Sequence, residues 1–433
     1  MPTDPNGDPP APRIVLVAGP GGAGRTTVAA ATALSAGQRG GRTLLLTTEE
    51  AGVAECVLGT DVPAGRPAEV LPGLWAARTD PDAELLALAD AMRRKAGALW
   101  EFTGAEPLDD DELVPLPGAS AFALLRALGT AAASGAWETL VVDLPAVPEA
   151  LHTLALPAQV RRLTDRLLPP QKQAARALRP MLAELAGVPM PSDALYAAAD
   201  DFLGELTRVQ ALLESERTTV QYVVDPGPLT AGRFGTVRAA LALHGLRLEA
   251  VVANRMLPTG TRDAWLAGLS GEQQAAVKAL RGPERALPVR EVPHLGRSPR
   301  GAEALTALAE RAGLARLTDR APATARRNGP VVEDRLATEG MLRLRLALPG
   351  ARKEELGLVR RGDELLLSVG SHRRAVPLPS ALRRCRVVGA AFERGELCVR
   401  LEPDPDLWPF RGGARGPGAP AASGPRPRDG EVG

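Results

Sequence analysis

The stretch RIVLVAGPGGAGRTTVAAATAL, residues 13–34, decides the fold. An apolar run typical of a buried strand leads into a glycine-rich loop, and the loop leads into an Ala-rich helical pattern. Glycines let successive backbone N–H groups converge on phosphate oxygens, and the N-terminus of the following helix adds partial positive charge. The stretch therefore predicts a phosphate-binding loop; the alternative is a glycine-rich turn that only packs tightly.

The loop carries the candidate nucleotide-binding residues Gly21, Gly22, Ala23, Gly24, Arg25, Thr26 and Thr27. Thr26 stands where a hydroxyl would ligate Mg²⁺, so it is a candidate metal ligand. Arg25 stands where such loops carry the lysine that reaches the β- and γ-phosphates. A planar guanidinium does not replace a compact ammonium inside a tight loop. We expect nucleotide binding with impaired turnover, or else a harmless drift towards arginine in this composition.

The chain from 13 to 315 predicts an α/β domain, because short β-type runs alternate there with long helical patterns. The runs are almost continuously apolar, which is typical of parallel strands buried on both faces. A mostly helical insertion is predicted over about 151–216. The candidate strands are Ile14 to Ala18, Thr43 to Thr48, Leu74 to Ala77, Thr139 to Val142, Val220 to Val224 and Leu248 to Ala253.

A second, smaller domain follows this one. The composition predicts a linker over 316–339, and the apolar period then changes to two, as in Leu342, Leu344 and Leu346. An all-β domain is therefore expected over 340–403. The ends, 1–12 and 404–433, are rich in Pro and Gly and are predicted to be disordered.

Composition excludes several classes of function. There are 52 Lys and Arg against 51 Asp and Glu, so the formal charge of +1 does not favour nucleic acid or an anionic membrane. No apolar run is long enough to span a bilayer, and we expect no stable membrane insertion. The three cysteines form no metal or disulfide pattern, which favours a reducing cytoplasm. The four histidines lack metal-site spacing, so we expect surface or packing residues.

Five ordered segments of 13–315 resemble the ArsA family of anion-transporting and tail-anchored-protein-targeting ATPases. The loop resembles GKGGVGKT, LLLTTEEA at 44–51 resembles the first switch, and VVDLPA at 141–146 resembles the second switch. VVANRMLP at 251–258 and the segment from Val292 to Leu305 are also similar to family sequences. The resemblance implies a mostly parallel P-loop NTPase sheet flanked by helices.

The resemblance also implies roles for particular residues. Glu49 matches the carboxylate that orients the attacking water, and Asp143 matches the carboxylate that holds the Mg²⁺ shell, so both are candidate catalytic residues. Asn254 matches an asparagine that contacts adenine. ATP and Mg²⁺ are the implied cofactors. Pro20 replaces the lysine that reaches across a dimer in this family, and proline supplies neither charge nor N–H.

The small domain is similar to the small heat-shock (α-crystallin) fold, through LPGARKEEL at 348–356, GDELLL at 362–367, VPLP at 376–379 and GELCVRL at 395–401. This implies a β-sandwich whose edges could take up a protein or peptide client. We expect an ATP-binding protein, a weak or inactive ATPase, that couples nucleotide state to a partner. The partner subunit is an identical copy or a related P-loop ATPase. The alternative is a non-catalytic scaffold or chaperone-like adaptor that pairs with an active relative.

Overall fold

The computed structural model describes residues 11–95, 109–114, 117–167, 193–282, 287–314 and 329–408. Most of the two ends that the sequence predicts to be disordered lies outside these residues. The centre of the predicted helical insertion, 168–192, also lies outside them. The described chain forms a large α/β domain followed by a small β-domain.

The large domain is built on one eight-stranded sheet with the order β3-β4-β2-β5-β1-β6-β7-β8. Every neighbouring pair is parallel except β3 and β4. All six predicted strands are present, and the sequence missed β3 and β8. The strands are β1 (Arg13–Ala18), β2 (Thr43–Thr47), β3 (Ala68–Leu71), β4 (Leu74–Arg78), β5 (Thr139–Asp143), β6 (Thr218–Val224), β7 (Leu248–Met256) and β8 (Val289–Pro293).

Helices cover both faces of the sheet, which explains the continuous apolar strands. One apolar cluster joins one sheet face to α1, α2 and α9, and a second joins the other face to α4, α5, α6, α7 and α8. The helices are α1 (Arg25–Gly37), α2 (Ala51–Leu58), α3 (Pro81–Lys95), α4 (Ala119–Ala133), α5 (Glu149–Leu167), α6 (Asp193–Glu214), α7 (Pro228–Leu243), α8 (Ala264–Arg281) and α9 (Gly301–Ala312). A 3₁₀ turn covers Asp110–Glu112. The predicted α/β class is confirmed.

The small domain is a sandwich of a four-stranded sheet, β14-β15-β10-β9, and a three-stranded sheet, β11-β12-β13. Alternate residues such as Leu342, Leu344 and Leu346 point into its core. The elements are β9 (Val331–Arg335), α10 (Leu336–Glu339), β10 (Met341–Ala347), a 3₁₀ turn (Lys353–Glu355), β11 (Leu356–Arg361), β12 (Glu364–Val369), β13 (His372–Pro377), α11 (Ser380–Arg383), β14 (Cys385–Glu393) and β15 (Glu396–Pro403).

The sandwich begins earlier than the sequence predicts. Residues 331–339, expected to be linker, form β9 and α10, and β9 pairs with β10 in antiparallel register. The sequence pattern did not reveal β9, because this strand lies at the edge of the sheet and its side chains, several of them charged, are mostly exposed. Such an edge strand lacks the buried face that gives other strands their period of two.

The small domain docks on the large one through α7. Ala239 and Leu243 of this helix lie in the same apolar cluster as the sandwich core. At Gly235 the helix meets the backbone of Gly350, where φ is 88°, and a Cβ on Gly350 would come within 2.6 Å of the Gly235 carbonyl oxygen. The two backbones approach so closely that neither position has room for a side chain.

Three histidines that are far apart in the sequence lie near one another at the seam, which is the contact between the two domains at α7. His152 of α5 and His372 of β13 have ring centroids 6.5 Å apart, and His244 follows the last turn of α7. Burial lowers the pKa of His244 to about 4, and the nearby charges of Arg374, His372 and His152 act in the same direction. His372 is buried as well, and its pKa is also lowered. The folded seam therefore favours the neutral imidazoles of His244 and His372.

We predict that acidification destabilises the protein through His244. Its pKa in the folded chain lies below the ordinary value of about 6.5, so its contribution to stability is complete above that pH and is lost as the pH falls towards 4. Between pH 7 and pH 5 the loss is about 1 to 2 kcal/mol. His244→Gln should reduce the fall in melting temperature over this range, measured by differential scanning fluorimetry. The exposed His294 provides the control, and an equal effect of His294→Gln would contradict the prediction.

Candidate functional site

The glycine-rich loop lies at the carboxyl end of β1, where the loops that follow β2, β5, β6 and β7 also converge because these strands are parallel. Gly24 ends the loop with φ 85° and ψ 30° and caps α1 without a side-chain hydrogen bond. The first N–H groups of a helix have no acceptor within the helix. Those of Arg25, Thr26 and Thr27 are therefore available to an anion, as the sequence predicts.

Two glycines fit the loop tightly between neighbouring strand ends. A Cβ on Gly19 would overlap the Val223 carbonyl oxygen at the end of β6, and one on Gly24 would overlap the Asn254 side-chain amide on β7. Gly22, by contrast, has φ 78° and nothing within 4 Å of a Cβ position. The loop thus packs against the ends of β6 and β7 and is open at its centre, where phosphates would lie.

Asn254 takes part in holding the loop. Its side chain is buried, and its Nδ2 atom donates a hydrogen bond to the Ala23 carbonyl oxygen at 2.8 Å. The family resemblance implies that this asparagine contacts adenine. In this structure its amide nitrogen is engaged with the loop backbone.

Arg25 points towards both switch segments. Its guanidinium donates to the carbonyl oxygen of Leu144, and its Nη2 atom lies 3.2 Å from Oε1 of Glu49. Only 9% of its side chain is exposed, against 26% for Glu49. The cation that replaces the usual lysine is therefore paired with the carboxylate expected to orient water.

A hydrogen-bonded chain extends this pairing to the metal position. The backbone N–H of Glu49 donates to the Thr47 hydroxyl at 3.1 Å, and that hydroxyl donates to Oδ2 of Asp143 at 2.9 Å. Thr47 and Asp143 end the adjacent parallel strands β2 and β5 in direct register. Both catalytic candidates of the sequence are thus brought together with Arg25.

Asp143 fits the role of a Mg²⁺-shell carboxylate. It is fully buried, and burial raises its pKa to about 6, while the Thr26 hydroxyl, the Arg25 guanidinium and the Thr47 hydroxyl favour its ionised form. Its Oδ1 atom has no hydrogen-bond partner among the described residues. A divalent cation or its bound water would supply one. Thr26 adds the hydroxyl that the loop motif requires, and this hydroxyl lies close enough to Asp143 to favour its ionised form.

A cleft of about 290 Å³ opens beside Arg25. Glu49 and Pro145 line it from the switch segments, and Glu149 and Thr153 line it from the first turns of α5. The Thr153 hydroxyl is buried and has no hydrogen-bond partner among the described residues. The cleft can accept a small polar group next to the phosphate position.

Sequence reasoning missed Thr47, the Leu144 carbonyl and Thr153. Thr47 could have been predicted from the sequence, because a hydroxyl residue at the carboxyl end of a buried strand lies beside the last residue of the neighbouring parallel strand, here Asp143. The other two depend on how Arg25 and α5 pack, and no spacing rule shows that.

The cysteines do not form a site. Cys56 is exposed on α2, whereas Cys385 and Cys398 belong to the small domain. In the described part of the chain, no group of three His, Cys, Asp or Glu side chains is arranged to hold a metal ion. No described helix is both long enough and apolar enough to cross a membrane.

We predict that Mg²⁺-dependent nucleotide binding weakens below about pH 6. The raised pKa of Asp143 means that the carboxyl gains a proton there, and a protonated carboxyl is a poor metal ligand. The affinity for MgADP, measured by titration calorimetry, should fall about tenfold between pH 7 and pH 5. Asp143→Asn should bind weakly at both pH values, whereas Asp61→Asn, at an exposed position, should follow the wild type. A pH profile unchanged by Asp143→Asn would contradict this assignment.

Comparison with known proteins identifies both domains of the chain. The family model for anion-transporting ATPases matches residues 12–312, and a model for an HSP20-like domain found in ArsA matches residues 339–401. The chain is 48% identical to an uncharacterized protein of Streptomyces coelicolor over 92% of this chain and 99% of the relative. It is 31% identical to a Mycobacterium tuberculosis protein over 93% and 99%. It is 24% identical, over 89% and 99%, to a protein of Aquifex aeolicus named a putative arsenical pump-driving ATPase. The chain belongs to the ArsA family of anion-transporting ATPases and carries the HSP20-like domain found in that family.

Proposed function

We propose that this chain binds MgATP at the glycine-rich loop and hydrolyses it slowly, using nucleotide state to control partner binding. The pairing of Arg25 with Glu49 carries the proposal. Arg25, which is expected to neutralise phosphate charge, forms an ion pair with Glu49, which is expected to orient water. Each engages the other instead of the substrate, so turnover has to begin by separating them.

The chain's own residues supply the remaining parts of a binding site. The free backbone N–H groups at the start of α1, from Arg25 to Thr27, would bind phosphate oxygens, while Asp143 and Thr26 would hold Mg²⁺, which would neutralise phosphate charge. Once Glu49 is free of Arg25, its carboxylate accepts a hydrogen bond from the attacking water. Phosphoryl transfer depends on placed positive charge, and a guanidinium directed at Leu144 is displaced from that task.

A non-catalytic adaptor is the second candidate, and Pro20 favours it. At this position proline has neither a cationic side chain nor an N–H group, so the chain cannot lend a charge to a partner's nucleotide. A related ATPase that retains the lysine could supply it in a heterodimer. In that pair, the loop described here would sense nucleotide and the other chain would turn it over.

A partner subunit would cover the carboxyl edge of the sheet. Val53, Leu229 and Trp265 lie near the starts of α2, α7 and α8, which all begin at that edge. They are exposed by 44%, 83% and 73%. Large apolar side chains exposed along one edge of a sheet, beside a predicted nucleotide site, are typical of a surface that another subunit covers.

We predict that MgATP promotes self-association through this edge. Sedimentation velocity of the full chain should show a dimer with MgATP, and Leu229→Asp should reduce dimerisation at least tenfold by burying a charge. Val388→Asp, at an exposed apolar position on β14 of the small domain, is the control. A wild-type chain that stays monomeric alone, but sediments with a second P-loop protein from the native cell, would favour the adaptor.

We predict that Arg25→Lys raises ATP turnover by about tenfold or more, because lysine restores a compact cation and releases Glu49. Phosphate release is measured at saturating MgATP, together with nucleotide affinity. Arg262→Lys changes an exposed arginine in the same way and should leave the rate unchanged.

Restoring both lysines, with Pro20→Lys and Arg25→Lys, extends the test. If the wild type already hydrolyses ATP as fast as this double variant, the impaired site is refuted. If neither chain binds nucleotide in a thermal-shift assay, the enzyme hypothesis fails and the adaptor remains.

A further inference from the structure

A groove of about 1660 Å³ separates the two domains on the side of the molecule away from the glycine-rich loop. Ser215 and Arg247, which line it, precede β6 and β7 and so lie at the amino ends of these strands. The glycine-rich loop lies at the carboxyl ends. The groove is therefore separate from the nucleotide site, and a ligand can occupy it whether or not nucleotide is bound.

The groove is rich in arginine. Seven arginines and four carboxylates line it, in a chain whose formal charge is only +1. Glu364 is shared by Arg162 at 2.9 Å and Arg166 at 3.0 Å, and Glu214 pairs with Arg374 at 3.1 Å. Two cations thus compete for one carboxylate of the small domain.

Three further arginines of the groove, Arg161, Arg247 and Arg361, have no carboxylate partner among the described residues. Arg161 and Arg361 are exposed, and neither forms an ion pair within the part of the chain that the structure describes. Arg161 lies close enough to Arg374 to help lower its pKa, although burial is the main cause. Like charges crowded in this way are relieved by an anionic ligand.

Buried polar atoms point to a ligand with hydrogen-bond donors as well as acceptors. Gln210 lines the groove and is 8% exposed, and its Oε1 atom has no hydrogen-bond partner among the described residues. The Nε atom of Arg247 is a buried donor that also lacks a described partner. An unsatisfied buried acceptor needs an N–H or O–H group, and a peptide backbone presents an N–H group at every residue except proline.

The shape of the groove favours an extended segment. Its volume exceeds the ~300 to 1,000 Å³ of ordinary small-molecule pockets. Residues 374–377 of the edge strand β13 border it, and the half-buried cross-strand pair Leu366 and Ala375 supplies apolar surface. None of the residues that line it is aromatic, so bases have nothing to stack on.

We propose that this interdomain groove binds an acidic, extended peptide segment of a partner protein. Peptide carboxylates pair with Arg161 and Arg361, and a peptide N–H donates to Gln210. Apolar side chains of the segment lie against Leu366 and Ala375.

The test uses the full chain and a fluorescein-labelled dodecapeptide of alternating Glu and Val. Anisotropy should show saturable binding that weakens with salt, and a Lys-Val peptide of equal length should not bind. The double variant Arg161→Glu/Arg361→Glu should lose about tenfold or more in affinity. Both residues are exposed, so its melting temperature should match the wild type.

The matched control is Arg66→Glu/Arg311→Glu. It changes the net charge by the same amount at exposed positions near β3 and on α9, outside the groove. Less than a twofold change in affinity is expected. Three results would overturn the proposal: no saturable binding of the Glu-Val peptide, an equal loss in the control, or tighter binding of a labelled thymidine dodecanucleotide.

Discussion

The glycine-rich loop is pressed against the ends of two neighbouring strands, and the rest of the site depends on this contact. Gly19 lies against the Val223 carbonyl of β6, and Gly24 lies against the Asn254 amide of β7, so neither tolerates a side chain. The hydrogen bond from Asn254 to Ala23 fixes the loop from the same side. Because the loop contacts β6 and β7 on one side, its open side lies at the carboxyl edge of the sheet, where the switch segments follow β2 and β5.

This fixed loop also determines what Arg25 can do. The Arg25 side chain leaves the first residue of α1 and passes Gly19, whose Cβ position lies 3.3 Å from the Arg25 Cγ atom. Its guanidinium then reaches Leu144 and Glu49, which belong to different switch segments. A lysine has one terminal nitrogen and cannot bind both partners with separate donors in a fixed fork. The substitution therefore changes the connection between the two switches as well as the position of the positive charge at the loop.

The sequence predicted the fold better than the site. Six strands followed from apolar runs, because a strand buried on both faces needs little else, whereas the half-exposed strands β3 and β8 carried no such signal. The glycine-rich loop was readable because glycine spacing reports backbone geometry directly. The engagement of Arg25 with Glu49 and the meeting of three histidines at the domain seam were not readable. Both depend on contacts between segments distant in the chain, and a motif compared with a family reports residue identity without side-chain direction.

Helix α5 connects the regions that a coupling mechanism needs. It begins five residues after Leu144, and its first turns place Glu149 and Thr153 in the cleft beside Arg25. Its 19 residues span about 28 Å at ~1.5 Å per residue. Near its other end Arg162 and Arg166 hold Glu364 of the small domain. Pro157 lies inside this helix and removes one of its backbone hydrogen bonds, so the cleft beside Arg25 and the ion pairs at the groove are joined through a position where the helix can bend. If the proposed coupling between nucleotide state and partner binding runs through this helix, then by linkage a ligand that competes for those arginines would change nucleotide affinity by the same factor as nucleotide changes the affinity for that ligand.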